Sequence, residues 1–239
     1  MKLFVIIFIL FFALFYQHNY ILSKKSNRLI INSDRNLYII YNFIPNNEFL
    51  ILKKEILQNY KKYFTRRNSI IRKGGAFSYI DTINTPFNKI FKSLKNLKTL
   101  EKIQKEIGLE LQFVPATDPN VISLLIYDKE GDGINWHKDS SEYYGNRWAG
   151  IYTIVNTNNK NGFSSSDFLY QKDNKIFKIN TFENSLLIFK GNEIYHKISK
   201  LKKGEKRIVI SMLFCDVCMP IFDIFNIIKQ KIINLSFYG

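Results

Sequence analysis

The chain is poor in several residues and motifs on which whole protein classes depend. Its 239 residues include only two cysteines, Cys215 and Cys218, which cannot build a disulfide framework. No glycine-rich phosphate loop and no internal repeat is visible, which argues against P-loop nucleotide-binding proteins and solenoid proteins. Acidic residues are also few, 20 against 35 lysines and arginines, so the formal net charge is +15. Because the lysines are scattered, this charge alone does not indicate a nucleic-acid-binding protein.

The remaining composition is that of a folded protein. Hydrophobic residues make up 46% of the chain and aromatic residues 15%, which is too apolar for a disordered chain. The length suits one domain with a sizeable core once an apolar N-terminal segment is set aside.

The N-terminal segment is predicted to attach the protein to a membrane. No charged residue occurs between Leu3 and Tyr16. A membrane-spanning helix needs about 17–25 apolar residues, a length reached if the span continues to Leu22. We predict a single-pass signal anchor over residues 1–23, with a cleaved signal peptide or a buried helix as alternatives. Lysines and arginines at 24–35 favour a cytosolic body, but the side of the membrane stays open at this point.

Helical patterns come first in the rest of the chain. A strand is predicted over residues 36–43, followed by an amphipathic helix over 48–60. A basic, glycine-bearing loop is predicted over 66–75. A second helical pattern covers 86–107, and Gly108 is expected to end it.

Short β-rich segments separated by turn signals follow Pro119, a pattern typical of a sandwich or jelly roll. They cover residues 121–127, 148–155, 167–170, 175–179, 185–189 and 207–214. We predict a mainly β protein with N-terminal helices (α+β) and a double-stranded β-helix (jelly-roll) core. The predicted parts are a support region over 36–118, the core over 119–218 and a C-terminal amphipathic helix over 219–239. That helix either packs on the core or contacts a membrane surface.

Two histidines and one aspartate form a candidate metal site. Of three histidines, His18 lies in the apolar N-terminal segment, which leaves His137 and His196. Residues i and i+2 of a strand point to the same side, so His137 and Asp139 can present their side chains to one point. Two histidines and a carboxylate, with other positions open, suit non-haem Fe(II) oxygen chemistry. Each histidine alone also fits an ordinary surface or structural role, and only the combination favours a metal.

A candidate anion-binding arginine follows. Arg207 comes eleven residues after His196, and the strand period places it on one face with Val209 and Ser211. A buried guanidinium beside a metal site favours a carboxylate ligand, which it can bind through two hydrogen bonds. The alternative is an exposed arginine at the start of a strand.

These residues resemble the 2-oxoglutarate- and Fe(II)-dependent oxygenase superfamily, particularly its prolyl 4-hydroxylase-like branch. The matching residues are Tyr127, Gly131, His137 and Asp139 in that spacing, then residues 185–189 leading to His196, then Gly204 and Arg207. Residues 37–56 also resemble the strand-then-helix opening of that branch. The resemblance therefore extends over most of the chain after the apolar segment.

The resemblance implies an enzyme. His137, Asp139 and His196 would be the catalytic iron ligands, and Arg207 would bind the distal carboxylate of 2-oxoglutarate. Tyr127 matches a position that often hydrogen-bonds this cosubstrate, and Ser211 is a weaker candidate from its side-chain direction. O₂ is the other cosubstrate, and ascorbate is a further candidate cofactor. The expected reaction is hydroxylation of a protein residue, prolyl or lysyl, in a secretory lumen if the body lies on that side of the membrane.

Other functions stay open. Tyr127, Asp132 and Trp136 also resemble the AlkB-type nucleic-acid demethylases. Those enzymes usually carry an asparagine and a second arginine at the positions of Val209 and Leu213, so nucleic acid is the less favoured substrate. A lipid oxidase of the same superfamily and a non-catalytic jelly-roll binding protein are also candidate functions.

Two further features have an ordinary and a functional interpretation. Cys215 and Cys218 are interpreted as the end of the last strand rather than as a redox or zinc site. A set of aromatic and basic residues after the iron motif either lines the entrance through which a substrate reaches the metal or packs within a strand and a turn. Its members are Tyr143, Tyr144, Arg147 and Trp148.

Overall fold

The computed structural model describes residues 36–69, 71–160, 162–221 and 228. The predicted anchor at 1–23 and most of the predicted C-terminal helix at 219–239 lie outside the described residues. None of the helices within the described ranges has the length and apolar character that crossing a membrane requires.

The described residues form twelve strands and three α-helices. The strands are β1 (Leu37–Ile40), β2 (Thr65–Asn68), β3 (Arg72–Ser78), β4 (Gln112–Phe113), β5 (Ile122–Tyr127), β6 (Gly133–His137), β7 (Arg147–Thr157), β8 (Phe168–Lys172), β9 (Lys175–Ile179), β10 (Leu186–Lys190), β11 (Tyr195–Ile198) and β12 (Lys206–Cys215). The helices are α1 (Asn46–Tyr63), α2 (Phe87–Leu94) and α3 (Leu97–Ile107).

The strands form one curled antiparallel sheet. Their order is β1-β10-β7-β12-β5-β3-β6-β11-β8-β9, with β2 on β3 and β4 on β12. Strand β3 links two groups of strands, because it pairs with β5 along one part of its length and with β6 along another. The predicted fold class, a mainly β protein with a double-stranded β-helix core, is confirmed.

The N-terminal region supplies strands to this sheet as well as helices. β1 pairs with β10 and β3 pairs with β5, so segments from both sides of residue 118 belong to one sheet. The Asn184 side chain strengthens the connection because it accepts a hydrogen bond from the Ile44 N–H (3.2 Å) and donates one to the Ile44 carbonyl (2.8 Å).

The helices cover the outer face of the sheet. α1 buries a helical stripe, as the sequence predicts, and the stripe consists of Phe49, Leu52, Ile56 and Tyr60. The outward-pointing Tyr152 of β7 packs edge-to-face on the Phe43 ring (centroids 5.1 Å apart). This packing leaves the opposite face of β7 toward the interior of the barrel.

The second helical pattern is divided into two helices. α2 ends at Leu94 and α3 begins at Leu97, because the Asn96 side chain accepts a hydrogen bond from the Thr99 N–H (2.8 Å) and caps a new helix. Gly108 ends α3 in the left-handed conformation (φ 68°), as predicted.

The prediction of a basic loop over 66–75 is wrong, because residues 65–78 form the hairpin β2–β3. The glycines belong to the strand rather than to a turn. A Cβ at Gly75 would overlap the Phe64 ring, so glycine permits this close contact.

The two cysteines are bonded to each other. Cys215 is the last residue of β12, as predicted, and forms a disulfide with Cys218, with the two Cα atoms 5.2 Å apart. The interpretation of the pair as merely the end of a strand is therefore incomplete.

Candidate metal and cosubstrate site

Strands β6 and β11 place the two histidines side by side. His137 and His196 are direct partners in the antiparallel ladder, and their ring centroids are 4.2 Å apart. Asp139 follows two residues after His137, and its N–H donates to the Gly191 carbonyl (2.9 Å). One potential ligand atom from each of the three side chains lies within 4.8 Å of the others. Ligand atoms sit about 2.0–2.2 Å from a divalent metal, so these atoms need to close only slightly around one ion.

Hydrogen bonds select the imidazole nitrogen that can bind a metal. Nδ1 of His137 lies 2.8 Å from the Asn135 carbonyl, and Nδ1 of His196 lies 2.9 Å from the Ile194 carbonyl. A carbonyl can only accept, so each Nδ1 carries the proton and donates. The lone pair of each ring is then on Nε2, and Nε2 of His137 is 3.5 Å from Asp139 Oδ1. Such backbone partners commonly orient metal-binding histidines.

The electrostatic environment keeps Asp139 ionised. Burial by itself raises the pKa of its carboxyl, but the hydrogen bond from His137 and the charge of Arg147 hold that pKa well below its ordinary range. Burial lowers the pKa of His196. Burial also acts to lower the pKa of His137, but the hydrogen bond and negative charge of Asp139 outweigh it and raise that pKa. The carboxylate of Asp139 therefore stabilises the protonated form of His137 relative to that of a free imidazole.

Metal affinity is expected to decrease with falling pH, because a proton and a metal compete for Nε2 of His137. Since the pKa of His137 is raised, the decrease should begin above the ordinary histidine value of about 6.5. It should approach roughly tenfold per pH unit once a proton must be displaced. Anaerobic Fe(II) titrations over a pH series measure this. An affinity that stays constant through and below the ordinary histidine pKa would contradict the expectation.

Gly191 makes room for the aspartate. A Cβ at this position would overlap the carboxylate of Asp139. The Gly191 backbone also holds the site together, because its N–H donates to the Arg147 carbonyl (2.8 Å) and its carbonyl accepts from the Asp139 N–H. In the sequence, this position carries only a turn signal.

The substitution Gly191→Ala is expected to lower metal affinity about 10- to 100-fold, a loss typical of displaced supports around a metal site. The fold should survive, because Gly191 does not have a positive φ. Metal titration and a thermal melt of the same sample measure both quantities. Gly162→Ala is the matched control, at an exposed glycine that also lacks a positive φ. Wild-type affinity in Gly191→Ala would show that the carboxylate position does not matter.

The three side chains open into a cavity of about 400 Å³ with apolar walls and a polar rim. Its lining consists of Ile71, Asn120, Leu125, Ile134, His137, Lys138, Asp139, Ser140, Glu142, Arg147, Ala149, Ile151, Phe189, His196, Ser211 and Leu213. Ser211, a predicted cosubstrate residue, thus lines the cavity. Tyr127 and Arg207 are outside this lining.

Arg207 and Tyr127 lie deeper on the same inner face. They are cross-strand partners on β12 and β5, and both are almost fully buried. Strand alternation places Arg207 on the face of Ser211, and Tyr127 on the face of Leu125. The Arg207 guanidinium donates to the Ser166 carbonyl (2.9 Å), while its Nε has no hydrogen-bond partner within the described residues. Burial lowers the pKa of Arg207, and the charges of Tyr127 and Asp167, which act to raise this pKa, only partly offset the effect of burial.

Thr153 is a donor that sequence reasoning did not single out. It is fully buried on β7, and its hydroxyl makes no hydrogen bond within the described part of the chain. Thr153 is the cross-strand partner of Val209, which shares the inner face of β12 with Arg207. A buried polar atom without a partner is costly, so Thr153 and Arg207 together suit an anionic group between them.

Only one of the four residues proposed for the substrate entrance is part of the cavity lining. Arg147 lines the cavity, and its Nε lies 4.0 Å from Asp139 Oδ2. Tyr143 is buried and donates from its hydroxyl to Asp118 (3.0 Å), whereas Trp148 packs with Tyr38 on the outer side. For these two aromatic residues the packing interpretation is the correct one.

The structure is similar to solved oxygenases. It matches a 2-oxoglutarate–Fe(II) oxygenase-family oxidoreductase from Burkholderia pseudomallei with a TM-score of 0.61 and 6% identity. The match covers 80% of this chain and 90% of the other. The fold is that of the 2-oxoglutarate- and Fe(II)-dependent oxygenases. The same oxygenase fold occurs in a prolyl hydroxylase from Trichoplax adhaerens (TM-score 0.59, 16% identity, 86% and 93% covered). A prolyl-4-hydroxylase from Pseudomonas putida also shares it (TM-score 0.56, 13% identity, 77% and 94% covered). No protein-family model matches the sequence, and neither does any curated protein.

Proposed function

We propose that the protein is a 2-oxoglutarate- and Fe(II)-dependent dioxygenase that hydroxylates a residue of a protein substrate, as prolyl 4-hydroxylases do. The observation that carries the proposal is the convergence of two Nδ1-protonated histidines and one ionised aspartate at a cavity. The buried Arg207 on the same inner face adds a place for the far end of a dicarboxylate.

His137, Asp139 and His196 would hold the metal through two imidazole nitrogens and one carboxylate oxygen, a donor set that suits Fe(II). Bound there, Fe(II) would supply oxygen activation coupled to the oxidative decarboxylation of 2-oxoglutarate. The surrounding protein orients the ligands through the carbonyls of Asn135, Ile194 and Gly191. The apolar walls of the cavity limit the access of water to the site.

Arg207 would bind the distal carboxylate of 2-oxoglutarate, with the Thr153 hydroxyl as a second donor. Both carry a buried polar atom that has no partner within the described residues. Tyr127 would lie beside this carboxylate, and Ser211 would lie on the path from Arg207 to the metal. Ascorbate stays a predicted further cofactor.

Support for a protein substrate comes from fold neighbours that are prolyl hydroxylases. The Trichoplax adhaerens enzyme is in complex with a hypoxia-inducible-factor peptide fragment. The rim of this chain's cavity carries Lys138, Glu142 and Arg147, so a substrate must present polar groups to it.

We further propose that residues 1–23 anchor the enzyme in a membrane, with the body in either the cytosol or a secretory lumen. The support is the uncharged sequence between Leu3 and Tyr16. A protein lacking residues 1–24 should be soluble without detergent and still bind Fe(II). Failure to fold would show that the segment belongs to the core. Protease protection in microsomes distinguishes the two sides, because only a lumenal body is protected.

Succinate release is the direct test of the catalytic function. The protein is incubated with Fe(II), 2-oxoglutarate and panels of peptides, oligonucleotides or lipids, with His137→Ala as the inactive control. Succinate production stimulated by a peptide is the expected result. Stimulation by oligonucleotides alone, or by lipids alone, would indicate that the substrate is a nucleic acid or a lipid rather than a protein. No succinate, together with no visible charge-transfer band from anaerobic Fe(II) and 2-oxoglutarate, would favour a non-catalytic binding protein.

A further inference from the structure

The inner face of the sheet continues from the metal site as a row of rings. His137 on β6 is the ladder partner of His196 on β11, His196 is the partner of Tyr170 on β8, and Tyr170 is the partner of Phe177 on β9. Strand β9 ends the order of paired strands. One cross-strand row therefore leads from the proposed iron ligands to the edge of the sheet.

Ring contacts place Tyr170 and Phe177 on the face that carries the ligands. The Phe168 ring stacks on His196 (5.4 Å, 17°), and the Tyr170 ring lies next to Phe168 on the same strand (6.4 Å). Tyr170 then stacks on Phe177 (5.3 Å, 22°). We refer to Tyr170 and Phe177 together as the aromatic strip.

The aromatic strip is accessible to a ligand. Phe177 is 41% exposed and Tyr170 is half-buried. By contrast, Phe168, two residues before Tyr170 on β8, is 1% exposed. Pairing within the hairpin explains the contact between the two rings. The pairing does not explain why 41% of the Phe177 side chain is exposed to water.

The hairpin stands beside the cavity rim. Strands β6 and β8 both pair antiparallel with β11, so they run in the same direction. Beyond His137, the chain after β6 enters the rim residues 138–142. Beyond Tyr170, β8 continues to Lys172 and a tight turn at Asp173 and Asn174, both with positive φ. The rim and the hairpin tip are therefore at the same end of the sheet.

We propose that Tyr170 and Phe177 form a subsite for an apolar ring, a proline or an aromatic side chain, carried by an extended peptide substrate. This inference rests on the proposed function and specifies how its substrate is recognised. The cavity of about 400 Å³ is at the small end of ligand sites. A cavity of this size has room for a cosubstrate and one target side chain, so the rest of a large substrate would lie outside it.

The spacing predicts which substrate residue reaches the subsite. Neighbouring strands are about 4.8 Å apart, so Phe177, two strands from His196, is roughly 10 Å away. An extended chain advances about 3.3 Å per residue, which places the ring about three residues from the target residue. A peptide is favoured over a nucleic acid because no second strand of the described residues pairs with the outer edge of β9, and the backbone groups of that edge can pair with another peptide backbone.

A peptide scan with the wild-type enzyme tests the spacing. Peptides with one target residue carry a single ring at each of several distances on either side, against an alanine background. Oxygen incorporation by mass spectrometry and succinate are measured together. The highest kcat/KM is expected with the ring about three residues from the target on one side. Equal activity at every ring position would overturn the proposal, as would oxidation of oligonucleotides alone.

The variant Phe177→Ala tests the strip itself. The KM for the best ring-bearing peptide should rise roughly tenfold, the equivalent of about 1.4 kcal/mol. The KM for the peptide with alanine in place of the ring should change far less. Ile176→Ala is the matched control, on the same strand but the opposite face and 63% exposed. Tyr195→Ala is a second control, 39% exposed and stacked on Trp136 on that other face.

The outcomes separate this inference from the proposed function. A wild-type enzyme that releases no succinate with any substrate contradicts the proposed function. Normal succinate release with identical responses of Phe177→Ala and Ile176→Ala contradicts only the aromatic subsite. A thermal melt of each variant shows whether the variant is still folded when its KM changes. If a variant is not folded, the peptide scan with the wild-type enzyme tests the aromatic subsite instead.

Discussion

Replacing His137, Asp139 or His196 with alanine is expected to abolish iron-dependent turnover. Each would supply one of the three proposed protein ligands, so its loss should cost several kcal/mol of metal binding, roughly a hundredfold to a thousandfold in affinity. Metal titration and succinate release measure the two effects. The His137 and Asp139 side chains are 15% and 17% exposed, and the domain should still fold without either, which a thermal melt of each variant checks.

His196 needs a milder variant, because it packs between Phe168 and Phe189 (centroids 5.4 and 4.6 Å away). His196→Asn retains more of this packing than alanine and should still lose the metal. Lys138→Ala is the matched control for metal binding, since Lys138 stands between two ligands without being one of them. Full turnover in any ligand variant would refute the metal assignment.

Replacing Arg207 with alanine is expected to raise the 2-oxoglutarate requirement a hundredfold or more. The loss leaves a cosubstrate carboxylate buried without its partner, which costs on the order of 3–5 kcal/mol. Iron affinity should change little, because the three ligands remain. Arg207→Lys should restore only part of the affinity, since an ammonium group cannot bind both carboxylate oxygens in one plane.

The control for Arg207 is its neighbour on β12. Lys206 points to the outer side, where its ammonium group lies 5.7 Å from the Tyr60 ring centroid. Lys206→Ala should leave the 2-oxoglutarate dependence unchanged. If Arg207→Ala also leaves it unchanged, the anion site lies elsewhere, and a metal-binding jelly roll of another kind becomes the better interpretation.

The sequence predicted those features that depend on local periodicity. Strand alternation predicted that the His137 and Asp139 side chains meet, and their ligand atoms do lie within 4.8 Å of each other, although β6 ends at His137. The helical stripe from Phe49 to Tyr60 is buried as expected. Most strand positions after residue 119 follow from short apolar segments between turns, but β6 and β11 are not among the predicted segments. Residues 66–75 were mistaken for a loop because basic residues and glycines obscure the hairpin β2–β3, whose second strand also pairs with β5 and β6 further along the chain.

Features created by long-range contact were beyond the sequence. Gly191 matters because the Asp139 carboxylate lies where its Cβ would be, and nothing near Gly191 in sequence indicates this. In the sequence Thr153 is one more β-branched strand residue; the fold places it opposite Val209, on the inner face that also carries Arg207. The roles of the aromatic residues after the iron motif depend on which face of the sheet they occupy, and the short segment at 143–148 does not fix that.

The pairing of β1 with β10 affects how the chain can acquire this structure. The bond between the Ile44 N–H and the Asn184 side chain joins positions 140 residues apart. During synthesis, the apolar side of β1 must therefore stay uncovered until the distant β10 has left the ribosome. Such high contact order makes folding slow, because the entropy of closing a long loop is lost before the contact stabilises the chain. Refolding in seconds rather than microseconds is the expected behaviour, and a stopped-flow trace completed within a millisecond would contradict it.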